Sequence, residues 1–230
     1  MTFLKSLQKV VTALATAVIV FSVVSFSGSG VATAKADTAL PADTDSSLQL
    51  DAKAAIAVDA NTGQILYAKN ADQALPVASM SKLMTAYMVL QAIDNGKLKW
   101  DQKVTPGKAA QEVSQDTTLS NVPLKEGHSY TVRELYQATL IYSANGAAMA
   151  LADAVGGTQK NFIDLARKEA KKMGLKDVEL YTANGLANGE VKDGKYPGAA
   201  DDAENKFSAK DMALLSQRLI KDYPEVLKTT

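Results

Sequence analysis

The chain of 230 residues has no cysteine and a single histidine. Without thiols there is no disulfide, no thiolate nucleophile and no cysteine-ligated zinc site. One histidine excludes a multi-histidine metal site and leaves His128 as the sole imidazole for any Ser-His-Asp triad. A hydrolase with a covalent step would therefore be expected to use another base. Net charge is also missing, since 25 basic residues balance 25 acidic ones. Lys5, Lys9 and Lys35 fall in the first 36 residues, which carry no acid, so the remainder holds 22 basic and 25 acidic residues. No basic patch points to nucleic acid. Apolar content is not short: 47% hydrophobic against 22% charged suffices for a globular core of one or two domains.

Residues 1–36 have the order of a secretory signal peptide. Two lysines lead, and Val10 to Phe26 is almost wholly apolar or small. Ala32-Thr33-Ala34 and Ala34-Lys35-Ala36 then offer small-residue cleavage sites. The apolar run sits at the low edge for spanning a bilayer, so cleavage is expected rather than an uncleaved anchor. In either case the rest of the chain is expected outside the cytoplasm. Residues 37–50 mix Pro41, Ser46, Ser47 and several Asp and Thr without periodicity and read as a linker. Folded sequence is expected over residues 51–230.

Ala55 to Val58 and Gln64 to Ala68 flank turn-forming residues 59–63 and predict a hairpin. From Ser79 to about Asn95 the pattern is helical, with Leu83, Tyr87, Leu90 and Ile93 on one stripe. Residues 100–127 are mixed, with turns and short strands. Thr131-Val132-Arg133-Glu134 is a capping box that opens a helix through about Tyr142. Ser143-Ala144-Asn145-Gly146 interrupts it, and an alanine-rich helix follows to Val155, stopped by Gly156-Gly157. Thr158 caps the next helix, with Phe162, Leu165, Ala166 and Met173 inward and Gly174 at its end. Residues 185–205 read as a long surface loop. Ser208 caps a last helix carrying Leu215 and Leu219, and Pro224 closes it. Strands followed by helices give an α+β fold, an antiparallel sheet with a helical subdomain. A lone hairpin is a poor sheet, so the C-terminal strands are expected to be lacking from this copy.

Two short patterns carry chemistry. Ser79-Met80-Ser81-Lys82 is an S-x-x-K where a loop becomes a helix. Positions i and i+3 share a helix face, so the Lys82 amine can reach the Ser79 hydroxyl. A serine hydroxyl needs an adjacent base, and lysine serves only when neutral, which desolvation or a nearby cation can arrange. The helix dipole also favours oxyanion formation at that end. The pattern alone is weak: Ser6-Leu7-Gln8-Lys9 matches it too, and a helix cap with a solvated lysine would look the same. Ser143-Ala144-Asn145 is the chain's only S-x-N and lies in the break between two helices. Its hydroxyl could relay a proton to a leaving amine, and Asn145 could bond both Lys82 and a substrate amide. Read singly, it could equally be a pair of helix caps.

Together and in this order the motifs resemble the penicillin-recognising serine enzymes, marked by S-x-x-K, S-D-N and K-T-G. The resemblance is closest to D-alanyl-D-alanine carboxypeptidases of the penicillin-binding protein 5 type. It runs through the hairpin from Ala55 to Tyr67, Leu75 to Thr85, Tyr130 to Leu135, Ser143 to Asn145, Asn184-Gly185-Leu186 and Ser208 to Ala213. It implies a β-lactamase/transpeptidase-like fold. It implies Ser79 as acyl-ester nucleophile, Lys82 as general base, Ser143 as proton relay and Asn145 as a substrate-binding residue. The implied substrates are peptidoglycan stem peptides ending in D-Ala-D-Ala, with β-lactams as slowly released acylating inhibitors. No metal or organic cofactor is implied. Localisation would be the extracytoplasmic face of the cell membrane or the cell wall, with membrane association through an amphipathic C-terminal tail not found in these residues.

The K-T-G motif is not matched. Lys228-Thr229 is followed by Thr230, and Lys192-Asp193-Gly194 lacks the hydroxyl. In the family that motif lies on a later strand, where its lysine binds the substrate carboxylate and a backbone N–H completes the oxyanion hole. The domain is therefore expected to be incomplete here. Gly146 stands where the family often has an aspartate. Rival readings follow from the same residues. A class A β-lactamase would need E-x-x-L-N, and after Glu179 the last two places hold Thr182 and Ala183. A non-catalytic penicillin-binding module would label without peptide turnover. His128 reads as a surface turn residue, Asp201, Asp202 and Glu204 as a solvated loop without calcium-loop spacing, and Tyr142 as a helix-packing residue.

Overall fold

The computed structural model describes residue 48 and residues 50–229. The signal-peptide reading, and nearly all of the linker reading, lie outside the described residues.

Strand β1 (Ala55–Val58) pairs antiparallel with β2 (Ile65–Lys69), as the turn at residues 59–63 predicts. Asp59 builds that turn: its carboxylate accepts from the backbone N–H groups of Asn61 at 3.1 Å and Thr62 at 2.7 Å. The remaining sheet structure is not visible as periodicity. β3 (Leu75–Pro76) pairs with β6 (Lys206–Phe207), and β4 (Lys103–Val104) with β5 (Tyr130–Thr131). Two residues per strand are too few to show alternation. Among the described residues the sheet structure amounts to three two-stranded ladders beside the helices, an α+β arrangement.

A 3₁₀ turn, Ala78–Ser81, leads into α1 (Lys82–Asp94). Helix α1 is buried almost all round rather than along one stripe: Met84, Ala86, Val89, Leu90 and Ala92 are buried, while Leu83 and Ile93 are only half-buried. Helix α2 (Lys108–Ser114) falls within residues 100–127, where turns and short strands but no helix were expected. The capping box at Thr131 and Glu134 opens α3 (Val132–Ile141), with its side-chain and backbone bonds both made.

Helix α4 (Asn145–Gly156) is the central pillar, packed on α1, α2, α3 and the following helix α5 (Gln159–Met173). Its alanines allow that many close neighbours, because small side chains let helix backbones approach; Ala147, Ala148, Ala150 and Ala152 are wholly buried. Thr158 caps α5 through a bond from Asn161 N, and Phe162, Ala166 and Met173 face inward as expected. Leu165 does not: it is 43% exposed, and Ile163 and Ala170 take the inward places. Leu165 lies three residues from Phe162, but Ile163 rather than Leu165 shares the buried arc with Ala166, Ala170 and Met173.

Ser208 caps α6 (Ala209–Asp222), which buries Leu215 and Leu219 and packs on α1 and β1. Pro224 does not simply close this helix but starts a 3₁₀ turn, Pro224–Lys228. The segment 185–205 is likewise more than a surface loop. It contains a 3₁₀ stretch, Asn188–Gly194, and buries Asn188, Val191 and Asn205. Polar residues suggested solvent, but both buried asparagines bond backbone groups through each end of the amide, which makes their burial tolerable.

Candidate active site

Ser79 sits on the 3₁₀ turn that opens α1 and is exposed; Lys82, one turn on, is only 2% exposed. The helix brings them together as the spacing predicts, with Lys82 Nζ donating to Ser79 Oγ at 2.8 Å. Two further acceptors complete a tripod at the same distance, Asn145 Oδ1 at 2.8 Å and the backbone carbonyl of Asn184 at 2.8 Å. Lys82 has no carboxylate partner in that tripod. Burial lowers its pKa from 10.5 to about 8, because a charged ammonium loses water that neutral acceptors only partly replace. Desolvation, not a neighbouring cation, does this.

The tripod has a chemical consequence. Asn145 Oδ1 and Asn184 O can only accept, so they hold two N–H bonds of the lysine in either protonation state. The third tetrahedral position points at Ser79. It carries an N–H when the lysine is charged and a lone pair when it is neutral. In the neutral state the Ser79 hydroxyl must be the donor, which is the geometry of a general base on its nucleophile.

Asn145 lies at the start of α4 and is itself held. Its backbone N–H and its Nδ2 both donate to Ser120 O, at 3.0 Å and 3.1 Å. That bond, and the donor-only ammonium opposite, fix which end of the amide faces Lys82. Ser143 occupies the hinge between α3 and α4, two residues before Asn145, and is half-buried. Among the described residues no hydrogen bond joins its hydroxyl to Ser79, Lys82 or Asn145. Backbone strain collects here: Ala78 has φ 44° and Ser143 has φ 53°, left-handed values that cost a non-glycine residue roughly 1–2 kcal/mol each.

The sequence motifs did not reveal the wall formed by residues 182–186. Thr85 on α1 donates to Ala183 O at 2.6 Å, and Lys82 takes the next carbonyl, that of Asn184. Gly185 follows with φ +85° and lies against the backbone just before Ser79; a Cβ there would fall 1.9 Å from Ala78 O. Only glycine fits that conformation and that approach. The segment Asn184-Gly185-Leu186 belongs to the resemblance, yet nothing in its side chains announces a carbonyl that binds lysine.

Other candidate groups lie elsewhere. Glu179 is exposed and bonds Tyr181 at 3.1 Å and Lys206 at 3.4 Å, so it is engaged away from Ser79. His128 is exposed beside Tyr130, with ring centroids 4.6 Å apart. Tyr142 does not pack as expected but is 66% exposed.

Fold and site thus define a serine–lysine acyl-transfer type of protein, with a buried neutralisable amine under an exposed hydroxyl. Residues 41–230 match the family Peptidase_S11, D-alanyl-D-alanine carboxypeptidase, and the chain belongs to that family. It is 38% identical over 179 residues to the D-alanyl-D-alanine carboxypeptidase DacC of Escherichia coli (strain K12), covering 76% of this chain and 41% of that one. It is 32% identical over 185 residues to DacF of Bacillus subtilis (strain 168), covering 80% of this chain and 43% of that one. The chain therefore spans about two fifths of the length of these curated relatives. Among solved structures it resembles a peptidoglycan synthesis regulatory factor (PBP3) from Streptococcus pneumoniae, with TM-score 0.77 and 42% identity over 80% of this chain and 51% of that one. It also resembles penicillin-binding protein D2 of Listeria monocytogenes in its cefotaxime-bound form, with TM-score 0.66 and 36% identity over 80% of this chain and 67% of that one.

Proposed function

We propose that this chain carries the nucleophile half of a serine-type D-Ala-D-Ala carboxypeptidase acting on peptidoglycan stem peptides. The observation that carries this reading is the Lys82 tripod, with its 2.8 Å contact to an exposed Ser79 Oγ and a pKa brought down to about 8. Ser79 Oγ attacks the carbonyl carbon of the penultimate D-alanine while its proton passes to Lys82 Nζ. The tetrahedral intermediate collapses, the C–N bond breaks, and the proton reaches the leaving amine of the terminal D-alanine. Ser143 is proposed as the relay for that proton, on the strength of its place beside Asn145 at the α3–α4 hinge. Asn145 is proposed to hold Lys82 and to meet the substrate amide. Water then cleaves the ester and regenerates Ser79. Export of the chain, read from residues 1–36, would place it with this substrate outside the cytoplasm.

A β-lactam presents the same acyl chemistry, so penicillin is the simplest probe. Intact-mass spectrometry after incubation with benzylpenicillin is expected to show a single adduct, and Ser79→Ala none. An adduct that survives Ser79→Ala would overturn the assignment of the nucleophile. Rapid hydrolysis of penicillin would favour a β-lactamase instead, a reading that the exposure of Glu179 and its contacts with Lys206 and Tyr181 speak against. A stable adduct without release of D-alanine from a stem pentapeptide would mark a non-catalytic penicillin-binding module.

A further inference from the structure

We infer that Asn205 is a positioning residue, one that sets the Ser79–Lys82 geometry without touching either; this deepens the reading of Ser79 and Lys82 as nucleophile and base. Asn205 is wholly buried in the segment before β6. Its carboxamide is used on both ends. Oδ1 accepts from the backbone N–H groups of Tyr181 at 2.7 Å and Thr182 at 3.1 Å, and Nδ2 donates to Thr182 O at 2.8 Å. Its own backbone carbonyl accepts from Val77 N at 3.2 Å.

These four bonds join the two segments that meet at the site. Val77 precedes Ala78-Ser79 and begins the turn that carries the nucleophile, its carbonyl accepting from Met80 N at 3.0 Å. Thr182 precedes Ala183-Asn184, whose carbonyls accept from Thr85 and Lys82. Thr182 also ties the far side of that turn, donating to Leu186 O at 2.8 Å and accepting from Gly185 N at 3.2 Å. The segments then press together, with Gly185 against Ala78 O. A left-handed Ala78 does not relax away because its surroundings over-determine it. Asn205 bonds the Asn184 segment through its side chain and the Ser79 segment through its backbone, so one residue outside both segments ties them together. A buried carboxamide suits this task, since it supplies an acceptor and a donor to backbone groups that no strand pairs.

The consequence concerns Lys82. If Asn205 no longer holds residues 181–182, the Asn184 wall loosens, water reaches Lys82 Nζ, and the burial that lowers its pKa is relieved. The test is the pH profile of acylation by a fluorescent penicillin for Asn205→Ala and Asn205→Asp. The aspartate keeps the acceptor for both N–H groups and loses the donor to Thr182 O, so it serves if the alanine variant does not fold. Asn188→Ala is the matched control: Asn188 is also buried and bonds Tyr196 and Ala199, but neither of the two site segments. Asn205 variants are expected to acylate about tenfold more slowly at pH 8, equivalent to one unit of barrier arithmetic. Their profile should bend at higher pH than the wild type, while Asn188→Ala loses thermal stability with an unmoved profile. A folded Asn205 variant with the wild-type rate and profile would overturn the inference, as would an equal shift in Asn188→Ala. If the wild type itself is not acylated, the function proposed above fails, and the side-chain ¹⁵N titration of Lys82 decides this point instead. A midpoint raised by the uncharged Asn205→Ala as well as by Asn205→Asp, whose added carboxylate by itself favours the charged amine, supports it, and an unmoved midpoint sinks it.

Discussion

In the proposed mechanism Lys82 is where a single residue decides the chemistry. Its tripod is satisfied in both protonation states, so the balance between them is set by burial and lies near pH 8. Only the neutral form can take the Ser79 proton. Below about pH 8 the neutral fraction falls tenfold per unit, so the second-order rate of acylation by penicillin should rise with unit slope from pH 6, bend near 8 and flatten above it. Stopped-flow fluorescence across pH 6–9.5 measures this, and a flat profile would remove Lys82 as the base. Lys82→Arg belongs to the same prediction. A guanidinium is never deprotonated in a protein, so acylation should fall on the order of 10²–10⁴-fold at every pH with no bend. The pair of residues was legible in sequence because i and i+3 on a helix share a face. The tripod's third leg was not, because it is a backbone carbonyl and every residue at 184 would own one. Asn205 was hidden for the same kind of reason: its partners lie 23 and 24 residues away and are backbone atoms.

Among the helices, what the sequence disclosed was their ends. Thr131, Thr158 and Ser208 cap α3, α5 and α6 with their own side chains, and such caps are local hydrogen-bond chemistry that spacing alone reveals. How the helices meet was less accessible. Leu165 was placed inward from its spacing, although only the neighbours decide which arc of α5 is covered. Gly146 shows the same limit. It stands first after the S-x-N motif, and its backbone N–H donates to Asn121 Oδ1 at 3.1 Å. A Cβ there would lie 2.5 Å from Ala110 O and 2.6 Å from Ser114 Cβ, so α2 could not keep its present distance from α4. Gly146→Ala is therefore expected to destabilise the protein by about 1–3 kcal/mol through overpacking, despite the better helix propensity of alanine. Urea denaturation followed by circular dichroism would show it as a lower midpoint. An unchanged or raised midpoint would mean that α2 yields freely.

At the scale of the whole molecule, the site depends on how loops without extended sheet pairing are fixed to the helical body. Arg167 on α5 does much of this. Its Nε donates to Leu180 O at 2.8 Å, with Nη2 on the same carbonyl, and its guanidinium lies 5.3 Å from the Tyr181 ring centroid and 4.1 Å from that of Tyr196. Tyr196 in turn donates to Asp164 on α5 at 2.8 Å. One planar cation thus clamps both the segment that leads to Asn184 and the loop that returns to Asn205. Lysine would keep the charge but lose the fork and most of the stacking. Arg167→Lys should therefore speed amide hydrogen exchange by about tenfold or more across residues 181–205 while the core of α4 keeps its protection, since loops can open below the global unfolding free energy. Acylation should slow with it, because the wall behind Lys82 belongs to the loosened unit. Equal acceleration in α4 would mean that loops and helices open together, and the active-site wall would then be as stable as the core rather than a separately fastened layer.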